Sequence, residues 1–212
     1  YYGPDSGIGI ALRHYEKRPL RVGVIGLGTG TLAAWGKPGD AFKFYELDPQ
    51  VLAVAQSEFT YLRDSRAKID TALGDARLTL EREPAQGFDV LVIDAFSSDS
   101  IPVHLITREA LSVYRKHMQP AGIIAFHLTN RYLDLPPVVK KIAEAHAIGS
   151  VLISHDPDDK DERYASTDWM LLTADESFLQ SDAVKRAASE VKVPPRLSLW
   201  TDDFNNLLRI LK

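Results

Sequence analysis

The chain is 212 residues long, 45% hydrophobic and 25% charged, with a formal net charge of −4; this fits one ordinary α/β domain with a sizeable core. No basic surplus marks a nucleic-acid binder, and the lack of cysteine excludes disulfides, zinc–thiolate sites and a cysteine nucleophile. No run approaches the ~18 apolar residues of a membrane span and no signal peptide is recognisable, so a soluble, cytoplasmic domain is expected, and the acidic balance suits a cationic substrate.

In chain order, Leu20–Ile25 reads as a strand, β-branched and stopped by Gly26, and Thr31–Trp35 opens a helix. Ala41–Glu46 is a second strand, and Pro49 starts a helix whose apolar face is Val51, Leu52, Val54 and Ala55. A third strand is expected at Ala67–Leu73 and a buried fourth at Phe88–Ile93. A helix over Arg108–His117 leads through a turn at Pro120-Ala121-Gly122 into the strand Ile123–Leu128. Leu135–Ala145 is helical, Ser150–Ser154 and Trp169–Thr173 form a late antiparallel pair, and a helix at about Asp182–Glu190 precedes an irregular tail. The alternation predicts one domain over residues 1–212, with a mostly parallel sheet covered on both faces.

The glycine turn carries the first functional signal. Gly26, Gly28 and Gly30 follow a buried strand and precede a helix, and Glu46 ends the next strand about 20 residues on. This is the layout of a site for an adenosine-bearing cofactor, with Glu46 accepting the ribose hydroxyls. A dinucleotide fingerprint needs glycine at position 31, which is Thr31. The spacing therefore suits S-adenosylmethionine-type ligands better than NAD. Asp48 reads as the N-cap of the helix at Pro49. Asp75, in Gly74-Asp75-Ala76, can accept from an adenine amino group or cap the next helix.

Asp94 ends the central strand, where open α/β sheets bind ligands, and is the candidate catalytic base. Asp99 supplies a second carboxylate in the loop that follows, able to hold an ammonium; Ser97, Ser98 and Asp99 could equally cap a turn. His127 reads as a satisfied structural histidine, with pocket lining as the alternative. His104 and His155 have no metal-ligand spacing, and no metal site is expected. The run His155–Arg163 is a solvated loop or an acidic lid. Asp202-Asp203 reads as a cap for a helix over Phe204–Leu211.

The succession Gly26-Leu-Gly-Thr-Gly30, Glu46-Leu-Asp48, Gly74-Asp75-Ala76 and Val92-Ile-Asp94 resembles the spermidine synthase (polyamine aminopropyltransferase) family over nearly the whole chain. Tyr1-Tyr-Gly-Pro-Asp-Ser is similar to the family's segment before the first Rossmann strand, and Tyr164-Ala-Ser-Thr-Asp-Trp169 to its late amine-contacting region. Trp200-Thr-Asp-Asp-Phe-Asn-Asn-Leu resembles the tail of the branch often fused to membrane segments. The resemblance implies a Rossmann-like, methyltransferase-type fold with a mostly parallel seven-stranded sheet and an antiparallel late strand, without the family's N-terminal hairpin domain. It further implies that Gly26, Gly28 and Gly30 hold decarboxylated S-adenosylmethionine, that Glu46 binds its ribose, and that Asp75 and Ala76 meet its adenine. Asp94 would deprotonate putrescine or a related amine, with Tyr2, Asp99 and Tyr164 shaping the amine pocket, and no metal or nucleic acid takes part. A homodimer and membrane segments outside this stretch are compatible with the family.

Two positions depart from its pattern. Thr29 stands where the family carries an aspartate on the donor's amino group, which keeps ordinary S-adenosylmethionine open as the donor. Asp94 and Asp99 are two residues further apart than the family's loop acids, and Gly-Pro-Ala is missing. A methyltransferase with a small acceptor and a non-catalytic nucleoside sensor are the alternative functions.

Overall fold

The computed structural model describes residues 2–95, 102–157 and 165–212. Asp99 and Tyr164, both assigned to the amine pocket, lie outside the described residues, as do Ser97, Ser98 and most of the acidic run after His155.

Helix α1 (Gly7–His14) precedes β1 (Arg21–Ile25), and the glycine turn leads into a short 3-10 helix, Thr31–Trp35. Then follow β2 (Ala41–Glu46), α2 (Pro49–Ser57), α3 (Tyr61–Asp64) and β3 (Lys68–Leu73). The central part is α4 (Ala76–Arg82), β4 (Phe88–Ile93), a 3-10 turn at Val103–Leu105, α5 (Arg108–Lys116) and β5 (Met118–His127). The chain continues through α6 (Pro136–Ala145), β6 (Gly149–His155), β7 (Thr167–Thr173), α7 (Glu176–Leu179), α8 (Asp182–Ala187) and β8 (Ala188–Ser189).

Among the described residues the strands form one sheet in the order β3-β2-β1-β4-β5-β7-β6-β8. The pairs from β3 through β5 are parallel, and β7 runs antiparallel to both β5 and β6. All six residues of β4 are buried. Leu91 and Ile93 pack with α4, α5 and α6 on one face, while Val90 and Val92 pack with α1 and the glycine-turn segment on the other. The strand order reverses between β1 and β4, which opens a ligand crevice at their carboxyl ends.

Four expectations need correction. The sheet gains an eighth strand because α8 stops at Ala187; Ala188 turns extended and pairs with Ile153, covering the β6 edge. Pro120 is not in a turn: β5 already starts at Met118, and a register shift between Phe88 and Val90 absorbs the extra residues as a bulge. The segment after Gly30 is a single 3-10 turn, entered from a left-handed glycine and stopped at Gly36, rather than an α-helix. The segment Phe204–Leu211 contains only a 3-10 turn at Leu207–Ile210, because the Asp202 carboxylate is engaged elsewhere.

That engagement ties the C-terminal segment to the body. Arg77 donates to both Asp202 oxygens at 2.7 and 2.5 Å, and the Thr107 hydroxyl adds a bond of 2.8 Å. The Arg77 guanidinium holds the Asp202 carboxyl below the usual carboxylate range. Burial likewise holds the His117 imidazole below its ordinary value. Both folded-state values are depressed, so each contribution is present above the group's unfolded pKa and is lost as pH falls through the folded value. Thermal stability should therefore decline first below about pH 6.5, through His117, and again below about pH 4, through Asp202. Asp202→Asn should cost on the order of 1 kcal/mol at pH 7, allowing for the exposure of this ion pair. Its melting temperature should converge on that of the wild type towards pH 3. A constant gap between the two melting curves across that range would contradict the assignment.

Candidate active site

The glycine turn, the ends of β1, β2 and β4, and the start of α4 enclose a cleft of about 370 Å3. Ile25, Tyr45, Val51 and Leu105 give it apolar walls, and Glu46, Asp48, Asp75 and Asp94 border it. Among the described lining residues there is no lysine or arginine. Apolar walls with a few convergent polar groups are what small-ligand sites share. The surplus of carboxylates gives this one a negative field that favours cations.

The turn is shaped by backbone chemistry. Gly26, at φ +94°, lies so close to β4 that a Cβ would sit 2.3 Å from the Asp94 carbonyl oxygen. The Asp94 amide in turn donates to Ile25 O at 2.8 Å. Gly28, at φ +53°, has open space where its side chain would be, which leaves room for a ligand to reach the main chain. Thr29 and Thr31 pair their hydroxyls at 2.7 Å.

Glu46 does more than border the cleft. Its two oxygens accept from the Leu27 and Asp48 amides, each at 2.9 Å, so it clamps the turn to the end of β2. A carboxylate has about four acceptor positions, and these two bonds leave capacity for a diol. Asp48 caps α2 through the Gln50 amide at 2.8 Å, as its spacing predicts. Asp75 caps the next helix, one of the two roles its position allows, and also lines the cleft. One oxygen caps α4 through Leu78 N at 2.9 Å, while the other meets His104 Nε2 at 2.9 Å at the cleft margin. Ala76 lines the cleft beside it.

Asp94 is held by side chains from two distant parts of the chain. Tyr2 donates its hydroxyl to Oδ2 at 2.6 Å, and His127 Nδ1 lies 2.8 Å from Oδ1. The Asp94 and His127 side chains are only 10% and 8% exposed. The His127 ring stacks on Trp169, with centroids 4.6 Å apart and planes 12° from parallel. Its Nε2 lies 2.9 Å from the Thr129 hydroxyl. His127 is thus a satisfied histidine, as its sequence context suggests, but the identity of its partner, Asp94, was not legible there. The parallel register pairs Ile93 with Phe126, so the next residues along, Asp94 and His127, come side by side. Nothing in the one-dimensional pattern carries that register.

No family model matches the chain. It is 30% identical over 128 residues to the polyamine aminopropyltransferase of Vibrio vulnificus (strain CMCP6), covering 58% of this chain and 42% of that protein. It is also 30% identical over 134 residues to the eEF1A lysine and N-terminal methyltransferase of Danio rerio, covering 58% and 19%. The chain thus spans less than half the length of these curated relatives. Among solved structures, a probable spermidine synthase from Corynebacterium glutamicum ATCC 13032 superposes with a TM-score of 0.66 at 19% identity, over 87% of this chain and 72% of that one. Human methyltransferase-like protein 13 in complex with SAH gives 0.59 at 18% identity, over 89% and 92%. The likeness to spermidine synthases carried by the sequence motifs is therefore borne out, and the fold is the Rossmann-like one shared by those enzymes and by S-adenosylmethionine-dependent methyltransferases. Both sets of relatives are transferases by name. No described helix is long and apolar enough to cross a membrane.

Proposed function

We propose that this chain is the catalytic domain of an aminopropyltransferase of the spermidine synthase type, with decarboxylated S-adenosylmethionine as donor and putrescine or a related small amine as acceptor. The observation that carries the reading is the position of Asp94. It is a partly buried carboxylate at the mouth of a carboxylate-lined adenosyl-type cleft, held by Tyr2 and His127.

The residues present suit an adenosyl sulfonium. Ile25, Ala76 and Leu105 offer apolar surface to a base, and Asp75 an acceptor for an amino group. Glu46 keeps acceptor capacity for a ribose, and Gly28 lets the ligand approach the main chain. The acidic lining stabilises the positive sulfur.

The amine nitrogen attacks the propyl carbon next to sulfur, a C–N bond forms as the C–S bond breaks, and the electron pair of the broken bond stays on sulfur. Methylthioadenosine leaves as a neutral thioether, and the proton lost by the amine goes to Asp94. Two reactants held in one cleft, with a base beside the attacking atom, account for the catalysis through orientation and proton removal. Tyr2, bonded to Asp94, belongs to the amine side under this reading, and the resemblance assigns Asp99 and Tyr164 to amine binding as well.

Thr29 favours a second reading. Without an acid in the turn, the donor can keep its carboxylate, as in a methyltransferase using S-adenosylmethionine. Nondenaturing mass spectrometry of the protein with equimolar decarboxylated S-adenosylmethionine and S-adenosylmethionine discriminates the two. Predominant retention of the decarboxylated donor is the expected result, and exclusive retention of the carboxylated one would contradict the first reading.

A further inference from the structure

We propose that His127 is a positioning residue for Asp94, fixing the plane of that carboxylate and its bonding state through a directed hydrogen-bond chain that begins on the backbone of β7. The kinetic part of this inference rests on the aminopropyltransferase reading; the structural part does not.

The direction of the chain follows from its ends. The Asp168 amide can only donate, and it does so to Thr129 Oγ1 at 2.8 Å. At the other end a carboxylate can only accept, so His127 Nδ1 carries the proton and donates to Asp94 Oδ1 at 2.8 Å. Nε2 of the neutral ring is then an acceptor, and the Thr129 hydroxyl, which takes the Asp168 amide on one lone pair, turns its proton to Nε2 at 2.9 Å. The Tyr2 hydroxyl donates to the other oxygen at 2.6 Å. Each Asp94 oxygen is thus anchored by one donor and keeps one lone pair for the acceptor amine. The same arrangement, a carboxylate against Nδ1 of a histidine, fixes tautomer and orientation in other active sites. Here the roles are exchanged: the histidine orients the acid that takes the proton.

The ring itself is locked. It is buried, and it is stacked on Trp169, which stands opposite it in the β5–β7 register. A histidine kept only for packing needs the stack, whereas one that positions Asp94 needs the Nδ1–H. Two substitutions separate these roles. His127→Phe keeps an aromatic ring for Trp169 and removes the donor. His127→Asn gives up the stack but places an amide N–H near the former Nδ1.

The first measurement needs no substrate. Two-bond 1H–15N correlation of the histidine rings should show His127 as the Nδ1–H tautomer in the wild type, with its 15N shifts changed in Asp94→Ala. An Nε2–H tautomer, or shifts indifferent to Asp94→Ala, would overturn the coupling. The second is steady-state release of methylthioadenosine from the decarboxylated donor and putrescine. His127→Phe should lower kcat by about 10- to 100-fold, with the Kd for methylthioadenosine within about twofold of wild type. His127→Asn should recover kcat to within about tenfold of wild type. Unchanged kcat in the Phe variant, or equal loss in both variants, would overturn the positioning role. A wild type that makes no methylthioadenosine defeats the aminopropyltransferase reading, and the ring spectra then decide the inference alone.

Discussion

Asp94→Asn should abolish most turnover while leaving nucleoside binding intact. Asparagine has nearly the same shape and still offers an acceptor to one of Tyr2 and His127, but it cannot take the proton of the attacking amine. Loss of a positioned base is worth about 100- to 10,000-fold, so kcat should fall by that factor. The Kd for methylthioadenosine, read by calorimetry, should stay within about twofold, because the groups proposed to hold the nucleoside, Glu46 and Asp75, are untouched. The substitution also separates two roles that a carboxylate can play. An acid that only attracts the ammonium would raise KM and spare kcat, whereas a base lowers kcat. A variant with wild-type kcat would remove Asp94 as the proton acceptor.

Glu46→Ala should have the opposite profile. Its two oxygens accept from the Leu27 and Asp48 amides, and both donors lose their partner when the carboxylate goes. A hydrogen bond to a charged group contributes about 1.5–3 kcal/mol. Loss of two ribose contacts alone should thus weaken nucleoside binding by 100-fold or more, at about 1.4 kcal/mol per factor of ten. The unclamped glycine turn adds to that. Glu46→Gln keeps one acceptor and should fall between wild type and Ala. A thermal-shift titration with methylthioadenosine and S-adenosylhomocysteine reads all three proteins together. Equal stabilisation of wild type and Glu46→Ala would mean that the ligand sits elsewhere.

The parts of the site that were legible in the sequence are those set by local chemistry. β1, β2 and β4 are short β-branched or aromatic runs, and the structure places β2 and β4 at the expected bounds. Gly26 was legible as a turn because its positive φ and its approach to Asp94 both need a residue without Cβ. Asp48 and Asp75 were legible as caps because a cap is a matter of two or three residues. His127 was not, since Asp94 at the end of β4 and Trp169 of β7 are far from it in sequence, and only strand register brings them together. Asp202 was not either: its partner Arg77 is 125 residues away in sequence. Pro120 misled because proline at the frayed start of an edge-like ladder looks, in sequence, the same as proline in a turn.

The reading stands or falls on the leaving group. Wild-type protein incubated with decarboxylated S-adenosylmethionine, S-adenosylmethionine and putrescine, and quenched for chromatography with mass detection, reports it directly. Methylthioadenosine and spermidine in equal amounts, both formed at least about 100-fold more slowly with Asp94→Asn, are the predicted result; S-adenosylhomocysteine and a methylated amine, with no methylthioadenosine, would contradict it.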